Sequence, residues 1–216
     1  NTSGKYVLQF QSGSNVTADI CVLTIPFTLL RLVNLTGLNL PFWKSNTIQN
    51  LGYGTNAKLL LGFTGKKWRD YGHSGGIFSN GTYVPSNNFI QTGWDNTRMQ
   101  SGPNGGYTVF QGGNQGMNLS LSQTSVMLNH LNSMWPGTSS QYNGTAKLVH
   151  WPSNPWSLAS YACWRVGQVT TMMGAEGKKV GNLYFAGEHT SLFFQGYMEG
   201  AAETGDAVAK EIALGI

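Results

Sequence analysis

Residues 182–212, NLYFAGEHTSLFFQGYMEGAAETGDAVAKEI, limit what this chain can fold into more than any other stretch. The apolar run Leu183 to Ala186 reads as a strand that meets the turn Gly187-Glu188-His189-Thr190. An aromatic loop follows, and a helix opens at Gly196-Tyr197-Met198-Glu199-Gly200-Ala201. Met198, Ala201, Ala202, Gly205, Val208, Ala209 and Ile212 recur at three- and four-residue steps and form one face, while Glu199, Glu203, Asp206 and Lys210 form the other. The small residues on the first face predict a buried stripe lying close against a sheet. A strand, a Gly-acid turn and a Gly-opened helix also form the arrangement by which α/β proteins present backbone N–H groups to an electron-rich ligand. Pattern alone leaves two readings open: a closing βα unit on an α/β core, or one edge of a ligand site.

Composition narrows the function classes. The net charge of +4 is dispersed along 216 residues, and the cluster Lys66-Lys67-Trp68-Arg69 reads as a solvated loop, so no nucleic-acid partner is expected. No run of 18 apolar residues occurs, so no membrane-spanning helix is expected. Cys21 lies in the apolar run Ile20–Ile25 and reads as a small buried hydrophobe; nothing requires it to pair with Cys163. His73, His130 and His150 lack metal-ligand spacing, so no metal site is expected. Sequons at Asn1, Asn15, Asn34, Asn80, Asn118 and Asn143 arise readily in a chain this rich in Asn, Ser and Thr, and assign no compartment. The first residue is Asn, which suggests a processed or partial chain.

Along the chain, residues 5–10 and 17–25 read as strands around a turn at 12–15, the second buried on both faces and stopped by Pro26. A short helix is expected at 28–32 and a strand at 57–63. The Gly/Asn/Ser-rich stretch 72–116 has β-like pieces at 76–78, 89–91 and 107–112. A helix is expected over 120–134, with Val126, Leu128, Leu131 and Met134 apolar, and a strand at 147–151. Residues 152–181 read as long and irregular, and such passages are usually functional.

The wording FAGEHT followed by GYMEGA resembles the C-terminal flavin-contacting motif of the flavin-dependent amine oxidase family, which includes monoamine, polyamine and L-amino-acid oxidases. The resemblance implies an α/β fold: the C-terminal part of a Rossmann-type FAD-binding domain joined to a mixed-sheet substrate domain. Residues 1–47 and 154–216 would belong to the first and 48–153 to the second. The segment from Trp151 through Trp156 and Ser160 to Tyr161 resembles the family's loop over the reactive face of the flavin. Tyr161 and Tyr197 would then be the two walls of an aromatic cage that aligns an amine. As residues alone they read equally well as half-buried core aromatics. Lys58, among Ala57, Leu59, Leu60 and Leu61, reads by period as a solvated lysine. The stretch Gly54–Lys58, with Phe63 and Trp68, resembles the family strand whose lysine holds a water against flavin N5. Gly187 and Glu188 would contact the ribityl–pyrophosphate region of the cofactor. Gly196, Tyr197, Met198, Gly200 and Ala201 would lie along the ring, with the helix N-terminus favouring negative charge at its O2/N1 edge. Ser160 stands where covalent members carry a cysteine, which implies non-covalent FAD. His189 reads as a hydrogen-bonded structural histidine.

The Gly-x-Gly-x-x-Gly fingerprint for the ADP half of FAD is missing. Gly52-Tyr53-Gly54 lacks the third glycine, and Gly102-Pro103-Asn104-Gly105-Gly106 follows no strand signal. The resemblance therefore covers the C-terminal half of a family member. It implies exposed sheet edges that favour aggregation or pairing with another copy, weak FAD binding alone, and a complementary N-terminal FAD-binding chain. The implied activity is oxidation of a small amine or L-amino acid by hydride transfer to flavin N5, with O2 reoxidation giving H2O2. The alternatives are a desaturase- or isomerase-like flavoprotein, or a non-catalytic remnant acting as a binding module.

Overall fold

The computed structural model describes residues 4–79 and 89–215; the sequons at Asn1 and Asn80 lie outside them. In chain order the strands are β1 (Tyr6–Gln9), β2 (Asn15–Ala18), β3 (Cys21–Leu23), β4 (Ala57–Phe63), β5 (Ile77–Phe78), β6 (Thr92–Asp95), β7 (Gly105–Gln111), β8 (Tyr142–His150) and β9 (Leu183–Phe185). The helices are α1 (Phe27–Leu30), α2 (Phe42–Asn50), α3 (Lys67–Asp70), α4 (Gly113–Met117), α5 (Thr124–Met134), α6 (Gln168–Met172) and α7 (Met198–Leu214). Two compact units result, one of residues 1–54 with 156–216 and the other of residues 55–155.

In the first unit β1 and β2 form an antiparallel hairpin, and β3 pairs in parallel with β9. The apolar run 17–25 therefore does not make one strand. It breaks at Asp19-Ile20, where Lys5 pairs with Asp19 at 3.0 Å and Asn182 donates to the Asp19 carbonyl, so the chain leaves the hairpin and joins β9. Nor is the run buried on both faces: Cys21 and Leu23 point into the unit's core, whereas Ile20, Val22 and Ile25 are exposed. Cys21, Phe27, Leu30, Ile48, Leu51, Ala162, Leu183 and Phe185 form this unit's core. The Arg31 guanidinium fastens α1 to the end of α2 by donating to the carbonyls of Ile48 (2.8 Å) and Leu51 (2.7 Å). Helix α2 had no strong sequence signal, and α6 interrupts the stretch expected to be irregular.

In the second unit a sheet runs in the order β5-β6-β7-β4-β8, antiparallel throughout. Strand β4 alternates strictly: Ala57, Leu59, Leu61 and Phe63 are buried, while Lys58, Leu60 and Gly62 are half-buried on the other face. The buried face packs with Tyr107, Val109, Met127, Leu131 and the tryptophans Trp68 and Trp135. Each such side chain contributes roughly 1.5–3 kcal/mol of burial. Residues 89–91 precede β6 rather than form a strand. On α5, Met127 and Leu131 are the fully buried positions, whereas Met134 is exposed.

The closing helix keeps part of its expected face: Gly205, Val208 and Ile212 are half-buried and Glu199, Glu203, Asp206 and Lys210 exposed, but Met198, Ala201, Ala202 and Ala209 are exposed as well, and Gly200 is the position buried. A Cβ at Gly200 would lie 2.4 Å from the Phe194 carbonyl oxygen, so α7 lies tight on its own preceding loop.

Candidate active site

Strand β9 ends at the sharp turn where Gly187 has φ 139°, a region that favours glycine. The Thr204 hydroxyl on α7 accepts the Gly187 N–H at 3.0 Å, which pins that turn to the helix. The turn aims Glu188 back into its unit. The carboxylate accepts the Ala162 N–H at 3.1 and 3.2 Å and the Gly196 N–H at 2.6 Å. Those amides belong to the immediate chain neighbours of Tyr161 and Tyr197. Gly196 also faces the Tyr161 ring, which lies 3.6 Å from where a Cβ would stand. The Tyr161 segment is held from its other side as well: Ser160 N–H donates to Gly54, Gly54 N–H to Tyr161, and Cys163 N–H to Gly52, each at 2.9 Å. Two tyrosines 36 positions apart thus sit on one braced piece of backbone, with 41% and 70% of their surfaces exposed. Burial raises the Glu188 carboxyl above its ordinary range, and the two amides oppose that rise.

Whether a flavin ring fits can be tested on this geometry. Helix α7 is 17 residues long and no side chain caps its N-terminus, so backbone donors there remain for a ligand. Met198, its first residue, and Phe193, in the loop just before it, are largely exposed. An uncapped helix end fringed by apolar surface suits a flat, electron-rich ring system. Ser160 offers no thiol, and Cys163 is a free, exposed cysteine three positions further on.

In the second unit, Lys58 stands on the half-buried face of β4 between two aromatic rings. Its ammonium lies 5.8 Å from the Trp94 ring centroid and 5.7 Å from that of Phe110, and those rings are tilted 58° to each other. Phe110 is directly opposite Lys58 in the β4–β7 ladder. Cation–π attraction holds the ammonium at the sheet surface. Trp151 lies in the 3-10 turn that closes β8 and is 40% exposed.

The sequence reading did not single out Lys44, which is fully buried at the start of α2. Its ammonium donates to the carbonyls of Ala175 (2.6 Å) and Glu176 (3.0 Å) and lies 3.8 Å from the Phe185 ring centroid. Burial pushes it down to about 7 despite the Glu176 carboxylate. Glu176 is itself buried, with one carboxylate oxygen accepting the Gly174 N–H and the other unpartnered. His189 is buried edge-on to Phe27, at 4.5 Å between ring centroids; its Nε2 has no hydrogen-bond partner, unlike the bonded histidine expected. Burial lowers it to about 4, with the Lys44 charge adding to the effect. A lysine at the third position of a helix carries no sequence mark of burial, so only packing reveals this group.

The family described as flavin containing amine oxidoreductase matches residues 1–213, and the chain belongs to it. Among relatives, polyamine oxidase 4 of Oryza sativa subsp. japonica is 29% identical over 213 residues, 93% of this chain and 40% of that protein. The L-amino acid dehydrogenase of Synechocystis sp. is 26% identical over 176 residues, 80% of this chain and 36% of that protein. A solved triple mutant of putrescine oxidase superposes with a TM-score of 0.85 at 19% identity, over 100% of this chain and 47% of its own. This likeness in fold identifies the architecture as part of the mixed α/β fold of flavin amine oxidases. The chain spans about two fifths of the relatives' length.

Proposed function

We propose that these 216 residues form the ring-facing and substrate-facing part of an FAD-dependent amine oxidase. The observation that carries this reading is the Glu188 bridge, which braces the neighbours of Tyr161 and Tyr197 on one piece of backbone. FAD, held non-covalently, would supply two-electron acceptance from the amine and reoxidation by dioxygen to hydrogen peroxide. The chain's own residues do the rest. Tyr161 and Tyr197 flank the amine and hold its Cα–H in line for transfer. Gly187 would lie at the ribityl–pyrophosphate region, Gly196, Met198, Gly200 and Ala201 would present the helix N-terminus to the ring, and Trp151, Trp156 and Ser160 would border it. Lys58 donates to a water at the reacting edge, the position from which it orients the proton traffic. The resulting imine hydrolyses to a carbonyl compound and an amine or ammonia.

Lacking a Gly-x-Gly-x-x-Gly segment, these residues take their pyrophosphate cradle from polypeptide outside them, and a complementary chain is the form we favour. The absorption spectrum and mass of natively purified material test both points. A flavin spectrum with polypeptide mass beyond 23.4 kDa is expected, and colourless material overturns the reading. A peroxide-coupled amine screen then tests the roles. Lys58→Met with Tyr197→Ala should lower kcat/KM by about 10²-fold or more; unchanged turnover removes both residues from the mechanism.

A further inference from the structure

Asn-Gly occurs three times in this chain, at Asn80-Gly81, Asn104-Gly105 and Asn143-Gly144. The first pair lies outside the described residues. An asparagine followed by glycine is open to attack from its own backbone, because glycine has no Cβ to shield the next peptide nitrogen. The fold treats the other two pairs oppositely.

Strand β8 is the last of its sheet. Its ladder with β4 pairs Leu61 with Ala146 and Phe63 with Tyr142, so Asn143, Gly144 and Thr145 face Gly62 alone in a bulge. All three are exposed, Gly144 has φ 85°, and a Cβ on it would meet nothing within 4 Å. The Asn143 side chain accepts the Thr145 N–H on Oδ1 at 2.9 Å. That bond curls the carboxamide over the Asn143–Gly144 peptide and polarises its carbonyl, so negative charge developing on Oδ1 already faces a donor. Asn104 is exposed too, but Gly105 is buried and stands opposite Phe63 in the β4–β7 ladder. A Cβ on Gly105 would lie 2.6 Å from the Gly65 carbonyl oxygen, so its nitrogen cannot swing toward the Asn104 side chain without lifting the start of β7.

We infer that Asn143 is a site of spontaneous deamidation through a succinimide with Gly144, and that the fold protects Asn104. The Gly144 nitrogen gives its proton to hydroxide and bonds to Asn143 Cγ. The Cγ–Nδ2 bond breaks, and Nδ2 leaves as ammonia with a proton from water. Water then opens the five-membered ring at either carbonyl and yields aspartate or isoaspartate. Nothing is oxidised or reduced, and the chain gains one negative charge against its net +4. This modification is independent of the amine-oxidase reading.

The test incubates natively purified protein at mildly alkaline pH, folded in one arm and unfolded in guanidinium chloride in the other. Peptide mapping with fragment-ion localisation follows each Asn-Gly pair, and an isoaspartyl methyltransferase with labelled S-adenosylmethionine counts isoaspartate. In the folded protein Asn143 should convert at least about tenfold faster than Asn104, and in the unfolded chain the two rates should agree within about threefold. Asn143→Gln, whose longer side chain closes the ring less readily, should leave position 143 unconverted over the same time. A smaller folded-state ratio overturns the inference, as does a tenfold gap that persists on unfolding, which would place its cause in the sequence alone. A glycan on Asn143 in the native protein, where Asn143-Gly144-Thr145 is also a sequon, overturns it as well.

Discussion

Gly196 donates its backbone N–H to the Glu188 carboxylate at 2.6 Å, and that carboxylate also takes the Ala162 N–H. One acidic side chain thereby joins two segments that are 34 residues apart. Removing it leaves partly buried backbone donors without a partner, at about 1–3 kcal/mol each. Glu188→Ala is therefore expected to melt well below the parent, with Glu188→Gln between them because its amide keeps one acceptor oxygen. Flavin content should fall in the same order. Thermal melts check the first point and absorbance ratios the second; a Glu188→Ala protein that melts with the parent contradicts the bracing role.

His189 gives a pH signature. Its folded-state value of about 4 lies below the ordinary histidine value of 6.5. Between those limits the unfolded chain binds a proton that the folded chain does not, so stability from this residue falls as pH drops from about 6.5 to about 4. His189→Phe should flatten that part of the stability–pH curve relative to the parent. Urea midpoints at half-unit pH steps measure it, and parallel curves for the two proteins refute it.

Lys44 acts at the other end of the scale. Its folded value of about 7 lies below the ordinary 10.5, so in that window it is the unfolded chain that holds the extra proton, and raising pH stabilises the fold. Relative to Lys44→Met, the parent should gain stability steadily from about pH 7 to about pH 10.5. A parent-minus-variant difference that stays flat across this window contradicts the buried, deprotonating amine.

Asp95 is held below the usual carboxylate range: burial alone would raise it, but bonds from Thr97, Trp68 and Arg69 outweigh that. Its contribution is present above the unfolded carboxylate value and is lost as pH falls through the depressed folded one. Asp95→Ala strips the buried Trp68 indole and the Thr97 amide of their acceptor, and should destabilise by about 3 kcal/mol. Chemical denaturation at neutral pH measures this, and a shift under about 0.5 kcal/mol refutes it.

Much of the fold was legible in local pattern. The alternation of Ala57–Phe63 placed β4 and put Lys58 on its outer face, and Gly187 marked the turn after β9. Pattern failed where a distant partner decides. The run 17–25 looked like one buried strand, yet Asn182 and β9 capture its second half, and Ala201, Ala202 and Ala209 of the α7 stripe are exposed while Gly200 takes the close contact with Phe194.

By itself the sequence determined the strand at residues 57–63, the strand–turn–helix at residues 183–214 and the wording that marks the family. These depend on local propensity and residue identity, which are written in the chain. Only the tertiary structure decided that Glu188 serves two backbone amides, that Lys44 is buried beneath Phe185, and that Trp94 and Phe110 flank Lys58. Each of these joins residues far apart in the chain, and the energy of a buried charge or an unpaired amide depends on neighbours that no local spacing specifies.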